Sequence, residues 1–234
     1  MTQNRRERQH EATREEIKDA ARKQMREEGT AAVSLRALGR ALGMTAPALY
    51  RYYASRDDLV TALIVDAYHS QAAWLEAACN QAPPDDHAGR ILHFMLAYRE
   101  WALDHPTEYS LIYGTPIPGY HAPWDVTAPA AQRIMDIILD LLKGAWQTKA
   151  LTLPAEYSRL PSPLRHKLAE MAASAGYAVP LPILNMALVS WGHIQGLISL
   201  ELYGHLVLLG PQAGDVYRLE AAAWLKRFGL SVKK

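Results

Sequence analysis

Residues 34–56, SLRALGRALGMTAPALYRYYASR, constrain the chain more than any other stretch. Leu35, Leu38 and Leu42 recur at helical spacing and give one apolar face. Ser34 precedes them as an N-cap, because its hydroxyl accepts from an otherwise orphan amide of the first turn. Gly43 falls where that helix must stop in a left-handed conformation, which glycine adopts without a side-chain clash. Met44 enters the core at the turn. Thr45 is expected to cap a second helix, with Pro47 in its first turn, where a missing N–H matters least. Leu49 and Tyr53, four residues apart, point back to the core. Ala46, Pro47, Ala48, Tyr50, Arg51 and Tyr52 are left facing away from it. Two short helices about a glycine turn make a helix-turn-helix.

Charge indicates what such a pair meets. No acidic residue lies between Glu28 and Asp57, whereas Arg36, Arg40, Arg51 and Arg56 do. A surface that rests on phosphates carries no carboxylates, so the second helix is expected in a DNA major groove. The net charge is only +1, but it is unevenly spread. Residues 1–60 hold 12 Lys and Arg against 9 Asp and Glu, and the remainder holds 13 against 15. A head of +3 on a body of −2 suits contact with nucleic acid at one end only.

The run 17–63 resembles the N-terminal domain of the tetracycline-repressor (TetR) family of bacterial transcription regulators. The resemblance rests on Ala20, Ala21 and Gly29, on Leu38 and Gly43, on Leu49-Tyr50-Arg51-Tyr52-Tyr53, and on Ser55-Arg56-Asp57-Asp58-Leu59. The family usually has Phe where Tyr53 stands and Lys where Arg56 stands. A looser similarity ties Trp191, Gly192, His193, Gly196, Glu201 and Gly204 to the WHG-type branch of the same family. The resemblance implies an all-α homodimer, joined through its last two helices, that binds a pseudo-palindromic double-stranded DNA operator. It implies a repressor released by a small apolar or aromatic effector, with no cofactor. Arg36, Ala46, Pro47, Tyr50, Arg51, Tyr52 and Arg56 would carry the DNA contacts. Arg51 is the candidate for bidentate readout of a guanine. Ser34, Thr45, Tyr50, Tyr52 and Arg56 would hold phosphates, and Pro47 and Ala48 would meet a thymine methyl.

Other classes lack support. The nine His are scattered, and no HExxH, GxSxG, Walker-type or dinucleotide glycine pattern occurs. The alternative to a DNA regulator is a helical small-molecule carrier or enzyme that merely contains a helical hairpin. Cys79 is the single cysteine, expected as a small core residue. The charged N-terminus is unlike a signal peptide, which points to the cytoplasm. Residues 181–200 have the length of a membrane span, but Asn185, Ser190, His193 and Gln195 interrupt them. A helix covered on both sides in a soluble assembly explains that run, the second cover being a copy of itself across a two-fold axis. His193 is expected within that core.

The expected organisation is a flexible basic arm over 1–12, a helix-turn-helix domain over 13–58 and a ligand-binding and dimerisation body over 59–234. Thr13 and Glu16 read as the capping box of the first helix, whose Arg14 and Lys18 are solvent-facing or phosphate-reaching. A second capping box at 55–58 launches a long helix linking head to body. Helices follow at 91–102 and 106–113, then a proline-rich loop over 114–129. Further helices cover 134–145, 164–175, 183–203 and 213–228. The effector pocket is expected among Tyr98, Trp101, Tyr113, Trp146, Trp191 and Gln195, since bundle interiors commonly host apolar ligands.

Overall fold

The structure, a computed structural model, describes residues 5–232. Among the described residues it has eleven α-helices, two 3-10 turns and no strand. The helices are α1 (Arg5–Glu28), α2 (Leu35–Ala41), α3 (Ala46–Tyr50), α4 (Arg56–Cys79), α5 (His87–Asp104) and α6 (Pro106–Tyr113). They continue with α7 (Trp124–Gln147), α8 (Ala155–Ser158), α9 (Ser162–Ala175), α10 (Leu181–Leu202) and α11 (Ala213–Arg227). The 3-10 turns are Thr30–Ala32 and Val207–Gln212.

Two compact units share the chain: Met1–His69 with His105–Ala130, and Ser70–Asp104 with Ala131–Lys234. In the first unit, Ile17, Ala21 and Met25 of α1 pack on Leu35 and Leu38 of α2, Leu49 of α3 and Leu59, Val60 and Leu63 of α4. Ile117 and the half-buried Leu111 and Ile112 complete this core from the loop and α6. The second unit buries Tyr98 and Trp101 of α5 completely, together with Ile183, Leu184 and Met186 of α10 and Phe228 just past α11. Burial of side chains this large is the main stabilising contribution, roughly 1.5–3 kcal/mol for each aliphatic or aromatic group.

Three boundaries differ from the sequence expectation. Helix α1 starts at Arg5, so the stretch expected as an arm is helical from that residue, and residues 1–4 lie outside the described ones. Its first turns, RRERQHEA, contain good helix formers and no Gly or Pro, which the polar composition obscured. Thr13 is therefore no cap; its hydroxyl donates to the Gln9 carbonyl one turn back (3.1 Å). Helix α7 starts at Trp124 and contains Pro129. The hydrogen bond a proline removes there belongs to the carbonyl of Asp125, which lies in the first turn at an exposed position, where the loss costs least. Between the helices expected at 134–145 and 164–175, where none was expected, lies the short helix α8.

Helix α10 has the length and mean hydropathy of a bilayer span. Its buried face is Ile183, Leu184, Met186, Ala187, Ser190, Ile194 and Ile198. Ser190 accepts a hydrogen bond from the Trp224 indole at 2.9 Å. The other face leaves Val189, Leu200 and Tyr203 in solvent, and His193 lies there as well, 3.7 Å from Glu220, rather than in the core. Glu201 meets Arg99 of α5 through Nε (2.7 Å) and Nη2 (2.5 Å). That bidentate pair explains the one formal charge inside the apolar stretch 171–214.

Candidate nucleic-acid interface

The turn between α2 and α3 is fixed by backbone geometry. Gly43 has φ +63, the left-handed region. The Met44 N–H donates to the Gly39 carbonyl at 2.8 Å. A Cβ on Gly39 would lie 3.1 Å from the Met44 carbonyl oxygen, so the close crossing of the two helices favours glycine there too. Ser34 caps α2, its Oγ accepting from Ala37 N–H at the long distance of 3.5 Å, while its own N–H donates to Gln24 Oε1 at 3.2 Å. Thr45 occupies the N-cap position of α3 but makes no side-chain cap hydrogen bond, which corrects the expectation from sequence.

Leu49 and Tyr53 are buried, as their spacing indicates. Their anchoring turns Thr45, Ala46, Pro47, Tyr50 and Arg51 to solvent, while Ala48 and Tyr52 are half-buried. Helix α3 itself is only five residues long, and Arg51 and Tyr52 continue it as a turn. Arg36 and Arg40 are exposed on α2. This surface has five outward side chains on and flanking α3, further arginines on α2, and no carboxylate from residue 29 to 56.

Arg56 behaves differently from the expectation that it reaches a phosphate. Its Nε donates to the Val33 carbonyl at 2.9 Å and its Nη2 to the Ala31 carbonyl at 3.0 Å. It ties the 3-10 turn before α2 to the start of α4, where the Asp58 N–H also donates to Ser55 Oγ at 3.0 Å. Arg14 and Lys18 are likewise engaged inside the head. Arg14 Nη1 donates to the Tyr52 carbonyl at 3.1 Å, and its guanidinium lies 4.6 Å over the Tyr53 ring. Lys18 reaches Glu15 (2.5 Å) and Asp66 (2.7 Å), and Arg22 shares Asp66 at 2.9 Å. Burial acts to lower the Lys18 pKa, but hydrogen bonds to Asp66 and Glu15 outweigh it and raise it. The i, i+4 spacing of Arg14, Lys18 and Arg22 was the available signal for these inward roles, hidden because all three residues are polar.

Tyr53, where the family usually has Phe, is 2% exposed, and its hydroxyl is buried with no hydrogen-bond partner. Burial pushes its pKa up.

In the body, the expected pocket residues separate. Tyr98 is buried, and its hydroxyl accepts from Trp191 Nε1 (3.2 Å) and Gln195 Nε2 (3.0 Å), so these three come together as a polar knot between α5 and α10. Trp101, also fully buried, donates from Nε1 to Ser70 Oγ at 3.2 Å. Tyr113 belongs to the other unit, set against Tyr109 and Tyr68. Trp146 is partly in solvent near the end of α7. None of the six lines the groove between α4 and α5, about 390 Å³, which Trp74, Ala77, Gln81, His93, Leu96 and Glu100 help form. No group of three His, Cys, Asp or Glu among the described residues is arranged to hold a metal.

A glycine-turned helix pair with an outward, acid-free second helix, followed by a separately cored helical body, defines a helix-turn-helix DNA-binding regulator. Residues 17–63 match the family model described as bacterial regulatory proteins, tetR family, and residues 91–223 match that of the tetracyclin repressor-like C-terminal domain. HTH-type transcriptional regulators of Mycobacterium bovis and Mycobacterium tuberculosis are 34% identical over 188 residues, 80% of this chain and 80% of theirs. The crystal structure of the regulatory protein SCO4313 superposes with a TM-score of 0.77 at 36% identity, covering 95% of this chain and 100% of that one. The TetR family regulator PfmR from Thermus thermophilus shares the fold alone, at 18% identity and a TM-score of 0.54, over 90% and 97% of the two chains. The protein belongs to the TetR family of transcription regulators. It is a DNA-binding regulator rather than an enzyme, and the family acts on operator DNA as dimers.

Proposed function

We propose that the chain is a ligand-released repressor of the cytoplasm. It reads a pseudo-palindromic operator as a two-fold dimer whose half-sites lie about one helical turn, ~34 Å, apart. One observation carries the reading: Leu49 and Tyr53 hold the short α3 down while Thr45, Ala46, Pro47, Tyr50 and Arg51 stand outward from an acid-free surface. Arg51 reads a guanine edge, Pro47 and Ala48 meet a thymine methyl, and Ser34, Arg36, Thr45, Ala46, Tyr50 and Tyr52 line the backbone path. Arg56 serves the interface by holding α2 and α4 in register.

Dimerisation uses α10 and α11. Val189 and Leu200 on α10, Tyr203 just past its end, and Val216 and Leu219 on α11 are exposed, with Leu219 at 71%. On α10, Gly192 and Gly196 present open backbone on the same side, where a second helix can approach closely. An apolar stripe of this extent calls for cover, and a copy of itself supplies it by symmetry. The effector is a small apolar or aromatic molecule taken up by the body, for which the α4–α5 groove offers an opening. It acts by favouring a body conformation in which α4 no longer holds the reading heads at operator spacing, and shifts the equilibrium by its differential affinity for the two states.

Enrichment of duplexes from a random pool, followed by affinity measurement at stated salt, tests the reading. Wild type should enrich an inverted repeat. Arg51→Ala should cost about 1–3 kcal/mol at one base position per half-site and relax specificity there. Failure to enrich any duplex, or unchanged specificity in Arg51→Ala, defeats the assignment.

A further inference from the structure

The turn after α10 holds apolar side chains out in solvent: Leu208 is 98% exposed and Val207 73%. It holds them stiffly. Gly204 ends the helix at φ +78, with the His205 N–H donating to the Leu200 carbonyl at 2.9 Å and its own N–H to the Glu201 carbonyl at 3.1 Å. The Leu209 N–H donates to the Leu206 carbonyl at 2.9 Å. A fixed apolar display of this kind is preformed for a contact. The outer face of α10 shows where that contact lies. Gly192 and Gly196, exposed and open around their backbone, bracket Ile194. Val189 and Leu200 lie about equally far on either side of it, as do Asn185 and Tyr203, and Leu181 and Val207. Steps of three and four residues along this series keep it on one face. Helix α11 runs alongside in the opposite direction, since Trp224 donates to Ser190 and Glu220 lies 3.7 Å from His193. That sets the exposed Leu219 level with the two glycines.

We propose that α10 packs antiparallel on the α10 of a second copy about a two-fold axis at Gly192–Gly196, and that Val207 and Leu208 form a hook seated on the start of the partner's α10. This rests on the dimer reading above and adds its direction, its register and the hook. Relief selects the direction. Leu181, Pro182 and Asn185 at the start of the face are half-buried, whereas Tyr203, Val207 and Leu208 at its end stand out. Antiparallel pairing sets the raised end on the recessed one, and a parallel pairing sets raised on raised. Helix dipoles favour the same choice, because each positive end then meets a negative one. In this register Val189 meets the partner's Leu200, Asn185 meets the partner's Tyr203, and Leu219 enters the gap at the partner's Gly192. His193 keeps Glu220 of its own protomer beside it, so the seam strands no charge. Both ends of the seat are free of charged side chains, none occurring over 171–200 or 202–214.

The test uses the full chain carrying Cys79→Ala, so that introduced cysteines are its only thiols. Val189→Cys, Leu200→Cys and the double variant are treated with a short bis-maleimide and read on a denaturing gel. The double variant should give a covalent dimer and either single variant none, because two copies of either residue lie about 15–18 Å apart along the axis in this register. Leu208→Ser should raise the dimer dissociation constant about 100-fold in analytical ultracentrifugation, roughly tenfold for each of the two copies, with circular dichroism unchanged. A covalent dimer from Leu200→Cys alone, or no crosslink in a double variant that sediments as a dimer, overturns the register. Leu208→Ser dimerising as tightly as wild type overturns the hook, and if that change instead abolishes sedimentation with phosphatidylcholine vesicles the occupant is lipid. These results leave a dimer standing, whereas a monomeric wild-type chain overturns the dimer reading as well.

Discussion

Arg56→Ala separates the role its position suggests from the role its contacts give it. The side chain is 30% exposed and makes two charge-assisted hydrogen bonds, to the carbonyls of Val33 and Ala31. Hydrogen bonds from charged groups contribute about 1.5–3 kcal/mol each. Ala31 is exposed and its carbonyl rehydrates on truncation, whereas Val33 is buried, so the loss is close to one full bond. We expect about 2 kcal/mol, confined to the link between the 3-10 turn, α2 and the start of α4. At about tenfold per 1.4 kcal/mol, amide protection over residues 30–42 should fall about 30-fold, readable by hydrogen exchange with mass spectrometry. Arg56→Lys, which retains a single donor point, should lose about half of that free energy. Operator affinity should drop in both variants with the salt slope unchanged, because no phosphate contact has gone. The opposite pattern, wild-type protection with a slope smaller by about 1, would show that Arg56 holds DNA and refute the clamp.

Three further outcomes follow from buried groups. Tyr53→Phe removes a buried hydroxyl that lacks a partner, so the head should gain up to about 1 kcal/mol in denaturant unfolding. Burial raises the Tyr53 pKa, so the folded state holds that proton more tightly than the unfolded chain does. Wild-type stability from this group is complete below about pH 10 and declines above it, and the variant should lack that part of the alkaline decline. Glu201→Ala strands the Arg99 guanidinium at a site where the two side chains are 17% and 15% exposed, and should cost the body about 3 kcal/mol in a thermal or urea melt. An Arg99→Met, Glu201→Leu pair should cost less than the single change, and strict additivity in that cycle would deny the coupling. Burial pushes the Cys79 thiol up to about 11, so a thiol reagent at about pH 8 should label it only as fast as the body opens; rapid stoichiometric labelling of folded protein would contradict its core placement.

Spacing and local chemistry were enough to read the helix-turn-helix from the bare chain. Leu35, Leu38 and Leu42 repeat at helical intervals, Gly43 must be left-handed, and Leu49 and Tyr53 share a face. Each of these is a property of neighbours a few residues apart, so no folded partner was needed to see it. The bounds of α6 and the glycine stop of α9 at Gly176 were legible for the same reason. Charge patterning identified the acid-free surface, again without knowledge of packing.

Long-range contacts were another matter. Lys18 with Asp66, Arg56 with Val33, Arg99 with Glu201 and Tyr98 with Trp191 and Gln195 join residues 23 to 102 positions apart. A polar side chain looks the same in sequence whether it faces water, a phosphate or a buried carboxylate; the helix that arrives opposite it settles which. That is why Arg14, Lys18 and Arg56 changed from surface cations to internal ties, and why His193 moved from the core to the exposed face of α10. The scattered aromatics of the body carried no periodic signal of a shared cavity, and folding sent Tyr113 to one unit and Tyr98 to the other. Periodicity within an element is written in the chain, but the pairing of elements emerges only when their faces compete for burial in three dimensions.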